Sequence, residues 1–560
     1  MTFSYDEVLE RIYGTGLYQI TLTICCSLSS MMMSYEYQSM LFMHYTPSFS
    51  CSDSRMRNFS SIRWISSSTF AALFNDPSGM DTIPAKDTAE EQCWAIGQRS
   101  GTSHMELFVC SEWNFDRSVM RRTLPTDFTL ICSRKDLLKW LASSMFLFIA
   151  VGHAIAVFTD KISRRKLLLF YVVAEIIVTS TTPFGTYFEV IFILRLLRML
   201  TMPLNYVATC ILQELLPTRK RGLFGTLYWM PFVLGYVGSA GLAYLTRDWY
   251  WFRIYGLPLM ISYIPIFFIM PESLRWLSAN GEYTKFRDVL RKIAHWNRVN
   301  LAENFVEEAV QSIIGSETHN RFLSDRTADI SNTNEEAKVV PFAVTDKMTD
   351  VFVLPNMRKK TVIMCLYMST ACLSFYGLAT SQNFANSNIF LNVLCMGLGE
   401  LPAPFIGWAV AHFFCRRLAV AILAVITATA VLIGPVVRPL LAVACTVVVF
   451  LGKVTASCTV GLAILIVTEI YPTTIRNMGV FLTMSFSSAV SCFAPVINYA
   501  DAIHYSLPGV LYASVTLLGA LLILLFIPET KRCPLAQRLS QAEKLVRGKE
   551  AEWIEFMQSH

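Results

Sequence analysis

Charge is scarce in this chain. Only 16% of its 560 residues are Asp, Glu, Lys or Arg, against about 25% in a typical soluble globular protein. The short signatures of catalysis are missing too. The sequence holds no phosphate-cradling glycine loop, no nucleophile elbow and no Cys/His spacing suited to zinc. An ATPase or hydrolase is therefore not expected, and neither an enzymatic role nor a cofactor or metal is proposed. The net charge of +6 comes largely from basic residues in short loops. It carries information on orientation and gives no reason to propose a nucleic-acid partner.

Apolar residues are abundant instead, at 54%. They fall in runs long enough to cross a bilayer, which takes roughly 20 residues of helix. Twelve such runs lie at about 15–42, 137–158, 166–185, 187–213, 222–246, 249–270, 359–380, 386–410, 416–437, 440–468, 478–500 and 506–527. The pattern predicts an all-α membrane protein with twelve transmembrane helices, its partner being the lipid bilayer. The first run follows an acidic start (Asp6, Glu7, Glu10) with no basic segment, so it is expected to be a retained span and not a cleaved signal.

Three signatures occur twice. Asp160 to Arg165 returns in altered form as His412 to Arg417, an offset of 412 − 160 = 252. Glu214-Leu-Leu-Pro-Thr with Arg221 returns as Glu469-Ile-Tyr-Pro-Thr with Arg476, an offset of 255, and Pro271-Glu272-Ser273 returns as Pro528-Glu529-Thr530, an offset of 257. A near-constant offset implies two equivalent, pseudo-symmetric halves of six helices each, as in secondary transporters built from parallel repeats. The expected organisation is a first half at 1–270, a linker at 271–358, a second half at 359–527 and a tail at 528–560.

Lys161, Arg164, Arg165, Lys166, Arg219, Lys220, Arg221, Arg416, Arg417 and Arg476 all lie in loops on one side of this topology. Lys and Arg favour the cytoplasm, so both termini are expected to be cytoplasmic. The long loop at about 43–136 is then extracellular. It holds Cys51, Cys93, Cys110 and Cys132, which predicts two disulfides in one of three connectivities. It also holds the sequon Asn58-Phe59-Ser60, a candidate glycosylation site. The other cysteines lie in or beside the runs and are expected to pack. In the linker, Tyr283–Trp296 and Glu303–Ile314 have helical apolar spacing, and residues 316–340 read as flexible. Leu535–Phe556 is a charged amphipathic segment, expected to form a membrane-surface or cytosolic helix and no catalytic element.

Several motifs carry a family resemblance. Asp160 to Lys166 resembles the loop signature of the major facilitator superfamily. Pro271-Glu272-Ser273-Leu274-Arg275-Trp276-Leu277, Thr468 to Thr473 with Ile475 to Gly479, Glu400-Leu401-Pro402-Ala403, and Asp127 to Cys132 closing the long loop go further. Together they resemble the organic cation, organic anion and carnitine transporters of solute carrier family twenty-two. The resemblance implies a multi-pass plasma-membrane carrier of small organic solutes working by alternating access. It also implies that Asp160, Arg164, Arg165, Glu214, Arg221, Glu272, Arg416, Glu469, Arg476 and Glu529 form charge clusters that gate the cytoplasmic side. Here the second half departs from the pattern, with His412 in place of the acid and Cys415 in place of glycine.

The binding site of such a carrier is expected near mid-membrane, between the halves. Charges inside the runs are costly and so are candidates: Glu36, Glu175, Arg195, Arg198, Glu400 and Lys453. For Glu175 and Arg198 a buried structural pair is the expectation. Aromatic residues at comparable depths, Tyr35, Tyr37, Tyr206, Trp229, Phe375 and Tyr376, suit cations and flat organic solutes. Twelve residues after Arg476, cation carriers of the family place an acid, and anion or carnitine carriers a base. This chain has Ser488. The acids Glu36 and Glu400 lean the expectation to organic cations or zwitterions, with Lys453 neutralised by one of them. An organic anion carrier, or a transport-inactive sensor or scaffold, is the alternative.

Overall fold

The computed structural model describes residues 5–11, 16–65, 93–99, 105–158, 162–217, 220, 224, 227–299, 305–308, 310–311, 349–380, 388–437, 442–472, 475–531, 533, 536 and 538–559. Asp160, Arg221 and the segment 316–340 lie outside them.

Eleven helices among the described residues are long and apolar enough to cross a membrane. They answer to every predicted run except the fifth, whose described helix, Met230–Thr246, has 17 residues. In chain order the spans are span 1 (Leu17–Met43), 2 (Asp136–Ala156), 3 (Arg164–Thr181), 4 (Phe188–Leu200 and Leu204–Glu214), 5 (Met230–Thr246) and 6 (Trp249–Ile269). The second set is span 7 (Pro355–Thr380), 8 (Ile389–Glu400 and Ala403–Phe413), 9 (Arg416–Val437), 10 (Ala442–Ile470), 11 (Arg476–Ser491 and Phe493–Asn498) and 12 (Leu507–Phe526). Large apolar side chains such as Leu234, Phe268 and Trp408 remain exposed on these helices. Large apolar side chains exposed in such number suit hydrocarbon and not water.

Proline decides where spans break, because it lacks the N–H that continues the helical ladder. Pro203 follows the break in span 4 and Pro402 the break in span 8. Spans 5 and 8 approach closely at Gly397. A Cβ there would sit 2.7 Å from the Tyr236 ring, so this crossing requires glycine.

The linker and the tail each brace the first span of a half. Helix Tyr283–Trp296 forms as expected. Just after it, Asn297 accepts from the Tyr18 backbone N–H at 2.9 Å and donates to Gln19 at 3.0 Å, capping span 1. In the tail, Glu543 accepts from the backbone N–H groups of Asn356 and Met357 at 2.8 and 2.7 Å, capping span 7. Two short helices, Leu539–Lys544 and Glu550–Ser559, make up the described tail. Leu539, Ala542, Leu545 and Trp553 join one apolar core with Met357, Tyr471 and Ile527. The amphipathic tail therefore buries its apolar face on the second half's own helices.

Residues Met40–Trp140 and Ala243–Ile254 form a separate compact unit. The long first loop is structured with strands, which the helical pattern of the spans did not anticipate. β1 (Phe49–Cys51) pairs antiparallel with β5 (Trp113–Phe115), while β2 (Phe59–Ile65), β3 (Trp94–Arg99) and β4 (Met105–Val109) form an antiparallel sheet. Both expected disulfides form, as Cys51–Cys110 and Cys93–Cys132. Asp53 accepts from Arg55, from the Ser111 hydroxyl at 2.7 Å and from the Ser111 N–H. The Arg55 side-chain bond foremost holds its carboxyl well below the usual carboxylate range. Asn58 closes a short helical turn, with its side chain exposed.

Candidate functional site

The repeated signatures fold into two matching charge clusters at one end of the spans. In the first half, Arg164 pairs with Glu214, and the Ser273 hydroxyl donates to the same carboxylate at 2.5 Å. Glu272 accepts from the Ser163 hydroxyl and from the Arg165 backbone N–H at 3.3 Å. In the second half, Arg416 pairs with Glu469 at 3.1 Å, and Thr530 donates to Glu469 at 2.6 Å. Glu529 accepts from the backbone N–H groups of Arg416 and Arg417 at 2.9 and 3.3 Å. In both halves, then, the second glutamate sits on the N-terminus of the helix that the arginine begins, where the helix dipole favours negative charge. The offsets of 252 to 257 residues recur as contacts.

Glu469 takes Arg416, from the preceding signature, whereas Arg476 donates to the Tyr471 carbonyl at 3.4 Å. Near the altered second-half signature, Lys531 donates to the carbonyls of His412 and Phe414 at 2.6 and 3.0 Å, while the His412 ring stacks on Trp408. Lys531 thus caps the end of span 8. The two halves meet at this end through Asn477, which donates to Glu214 at 3.4 Å.

Deeper in the spans, aromatic rings from both halves touch. Tyr37 of span 1 lies 5.4 Å from Tyr376 of span 7, and Phe146 of span 2 lies 6.1 Å from Tyr37 and 5.1 Å from Tyr376. Phe375 adjoins Tyr376 at 5.2 Å. A second group holds Tyr206 of span 4, Trp229 at 5.7 Å from it, and His153 of span 2 at 5.2 Å. Nδ1 of His153 lies 3.4 Å from the Ser488 hydroxyl of span 11. Five of the six predicted aromatics therefore fall into two groups that bridge spans; Tyr35, the sixth, packs against Gly256 of span 6.

Two pairs of buried charges are matched among the described residues. Lys453 Nζ lies 2.7 Å from Glu400 Oε1 and 3.3 Å from the centre of the Phe375 ring. Glu400 ends the first segment of span 8, at its proline break. Glu175 and Arg198 form the expected structural pair, at 2.6 Å. Arg195 donates to the Ser39 hydroxyl at 3.3 Å, and Glu36 is buried on the same helix as Ser39. His153 and Phe146 were missed by the sequence reading. His153 was detectable as a polar ring inside an apolar run; Phe146 had no signal separating it from lipid-facing phenylalanines. Among the described residues no group of three or more His, Cys, Asp or Glu is arranged to hold a metal.

A family model for "Sugar (and other) transporter" matches residues 126–538. The chain belongs to that family. This transporter is 25% identical over 552 residues to an organic cation transporter-like protein of Drosophila melanogaster, covering 96% of this chain and 92% of that one. It is 25% identical to the human organic cation/carnitine transporter 2, over 77% of this chain and 73% of the relative. A beta-alanine transporter of Drosophila melanogaster matches at 25% over 96% and 89% of the two chains. The relatives are thus the solute carriers that the sequence motifs resembled. In fold, the transporter is similar to the E. coli xylose transporter XylE in a partially occluded inward-open conformation. The TM-score is 0.56 at 13% identity, over 92% of this chain and 100% of that one. It is a multi-pass membrane carrier of the major facilitator type, and transport of small organic solutes is the activity its family supports.

Proposed function

We propose that this transporter carries small organic cations or zwitterions across the plasma membrane by alternating access. The supporting observation is the commitment of Lys453, deep in span 10: it is held by Glu400 and Phe375, so it offers a solute anion no free anchor. Tyr37, Tyr206, Trp229, Phe375 and Tyr376 supply ring faces that attract cations at about 0.5–2 kcal/mol each. Glu36, Ser488 and the neutral Glu400–Lys453 pair complete the binding set. The charge clusters Arg164–Glu214–Glu272 and Arg416–Glu469–Glu529, with Arg165, Arg476, Asp160 and Arg221 beside them in sequence, form the cytoplasmic gate. A few such half-buried contacts together bias a two-state equilibrium without locking it. Both termini, the linker at 271–358 and the tail are cytoplasmic, the strand-bearing loop is extracellular, and Asn58 carries the glycan.

Uptake into oocytes of labelled cations, zwitterions and anions tests this reading. Saturable uptake of cations or zwitterions supports it. Uptake confined to anions and abolished by Lys453→Ala at normal surface abundance makes Lys453 the substrate anchor instead. Surface protein that moves none of the three classes indicates a transporter-like sensor or scaffold.

A further inference from the structure

His153 occupies an unusual position. It lies in the last turn of span 2 and is only 3% exposed. Its ring is set edge-on to Tyr206 and 6.5 Å from Phe481. Nδ1 meets the Ser488 hydroxyl, the one side-chain hydrogen bond of that serine among the described residues. Nε2 has no hydrogen-bond partner among the described residues. A buried polar atom left without a partner is unfavourable, so its retention calls for a reason. Tyr206 continues the contact to Trp229, which joins the imidazole to one of the two aromatic groups.

We propose that His153, oriented by Ser488, selects solutes bearing a hydrogen-bonding substituent, a hydroxyl or amide, through Nε2. The selecting group is a ring nitrogen, which can donate or accept. This rests on the transport reading above. A net hydrogen bond corresponds to roughly two- to ten-fold in affinity.

Two matched pairs of permanently charged probes test it. One is (2-hydroxyethyl)trimethylammonium against propyltrimethylammonium; the other is 3-hydroxy-4-(trimethylammonio)butanoate against its deoxy analogue. Initial uptake rates are normalised to biotinylated surface protein. The expected result is a KM about five-fold lower for the hydroxylated member of at least one pair. In His153→Phe that gap closes, while His153→Gln, which keeps a polar atom near the Nε2 position, retains part of it. Ser488→Ala, a gentler change that frees the ring, narrows the gap as well. Equal KM values within both pairs in the natural protein, or a gap that survives His153→Phe, overturn the assignment and leave the transport reading intact. Surface protein that takes up other cations or zwitterions but none of the four probes overturns the assignment alone; protein that moves no solute of the three classes overturns both.

Discussion

Lys453 and Glu400 show how a costly residue becomes tolerable at membrane depth. Lys453 is fully buried, and an unpaired charge there would be excluded. The carboxylate at 2.7 Å and the Phe375 face at 3.3 Å take the place of water. Breaking such a pair by removing one partner typically costs about 3–5 kcal/mol, whereas replacing both with neutral groups of similar size is far milder. Lys453→Ala is therefore expected to depress thermal stability of the purified protein and its surface abundance. The double change Lys453→Met with Glu400→Gln should recover most of both. A double variant as unstable as the single would show that the two residues act independently. The pairing was legible in sequence only as a possibility, since Lys453 and Glu400 lie 53 residues apart (453 − 400) and helical periodicity says nothing of which helices meet.

At the level of elements, long apolar runs located the spans within a few residues, because their helices follow from length and hydropathy alone. The first loop was harder. Four cysteines in one segment announced two disulfides, yet only the folded sheets select Cys51–Cys110 and Cys93–Cys132. Removing a native bridge from a small domain commonly costs about 2–5 kcal/mol. Cys51→Ser combined with Cys110→Ser should thus reduce surface abundance no further than either single change. Cys51→Ser combined with Cys93→Ser breaks two bridges and should reduce it about twice as much on a free-energy scale. The opposite ranking would reject this connectivity. The tail gave a partial signal: its amphipathic pattern predicted a helix on the membrane surface or in the cytosol. That its apolar face packs against Met357 and Tyr471, and that Glu543 caps span 7, depended on tertiary placement.

For the whole molecule, the proposed gate draws on matching charge clusters from both halves. The altered signature at His412 and Cys415 suggested a weakened second half. Arg416, Glu469, Thr530 and Glu529 nonetheless reproduce the contacts of Arg164, Glu214, Ser273 and Glu272. Glu272→Gln and Glu529→Gln should each lower the maximal transport rate several-fold with modest change in KM, because each weakens the closed gate and not the substrate site. Asp160→Asn is expected to behave likewise, and His412→Ala to do little. Initial rates normalised to surface protein decide the matter. Normal turnover in both glutamate variants would confine the clusters to setting topology.

The sequence by itself determined that this chain spans a membrane, that it repeats internally and that its charges gather at loop ends. Those properties are written in local composition and in spacing along the chain, which survive in one dimension. Its motifs also pointed to the right group of solute carriers. Tertiary structure alone decided which helices face each other: that Tyr37 meets Tyr376 across the halves, that Glu400 neutralises Lys453, and that His153 lies on Ser488. The physical reason is that helix packing is set by side-chain shape over hundreds of residues of separation, where lipid-facing and partner-facing surfaces are equally apolar and carry no distinguishing pattern.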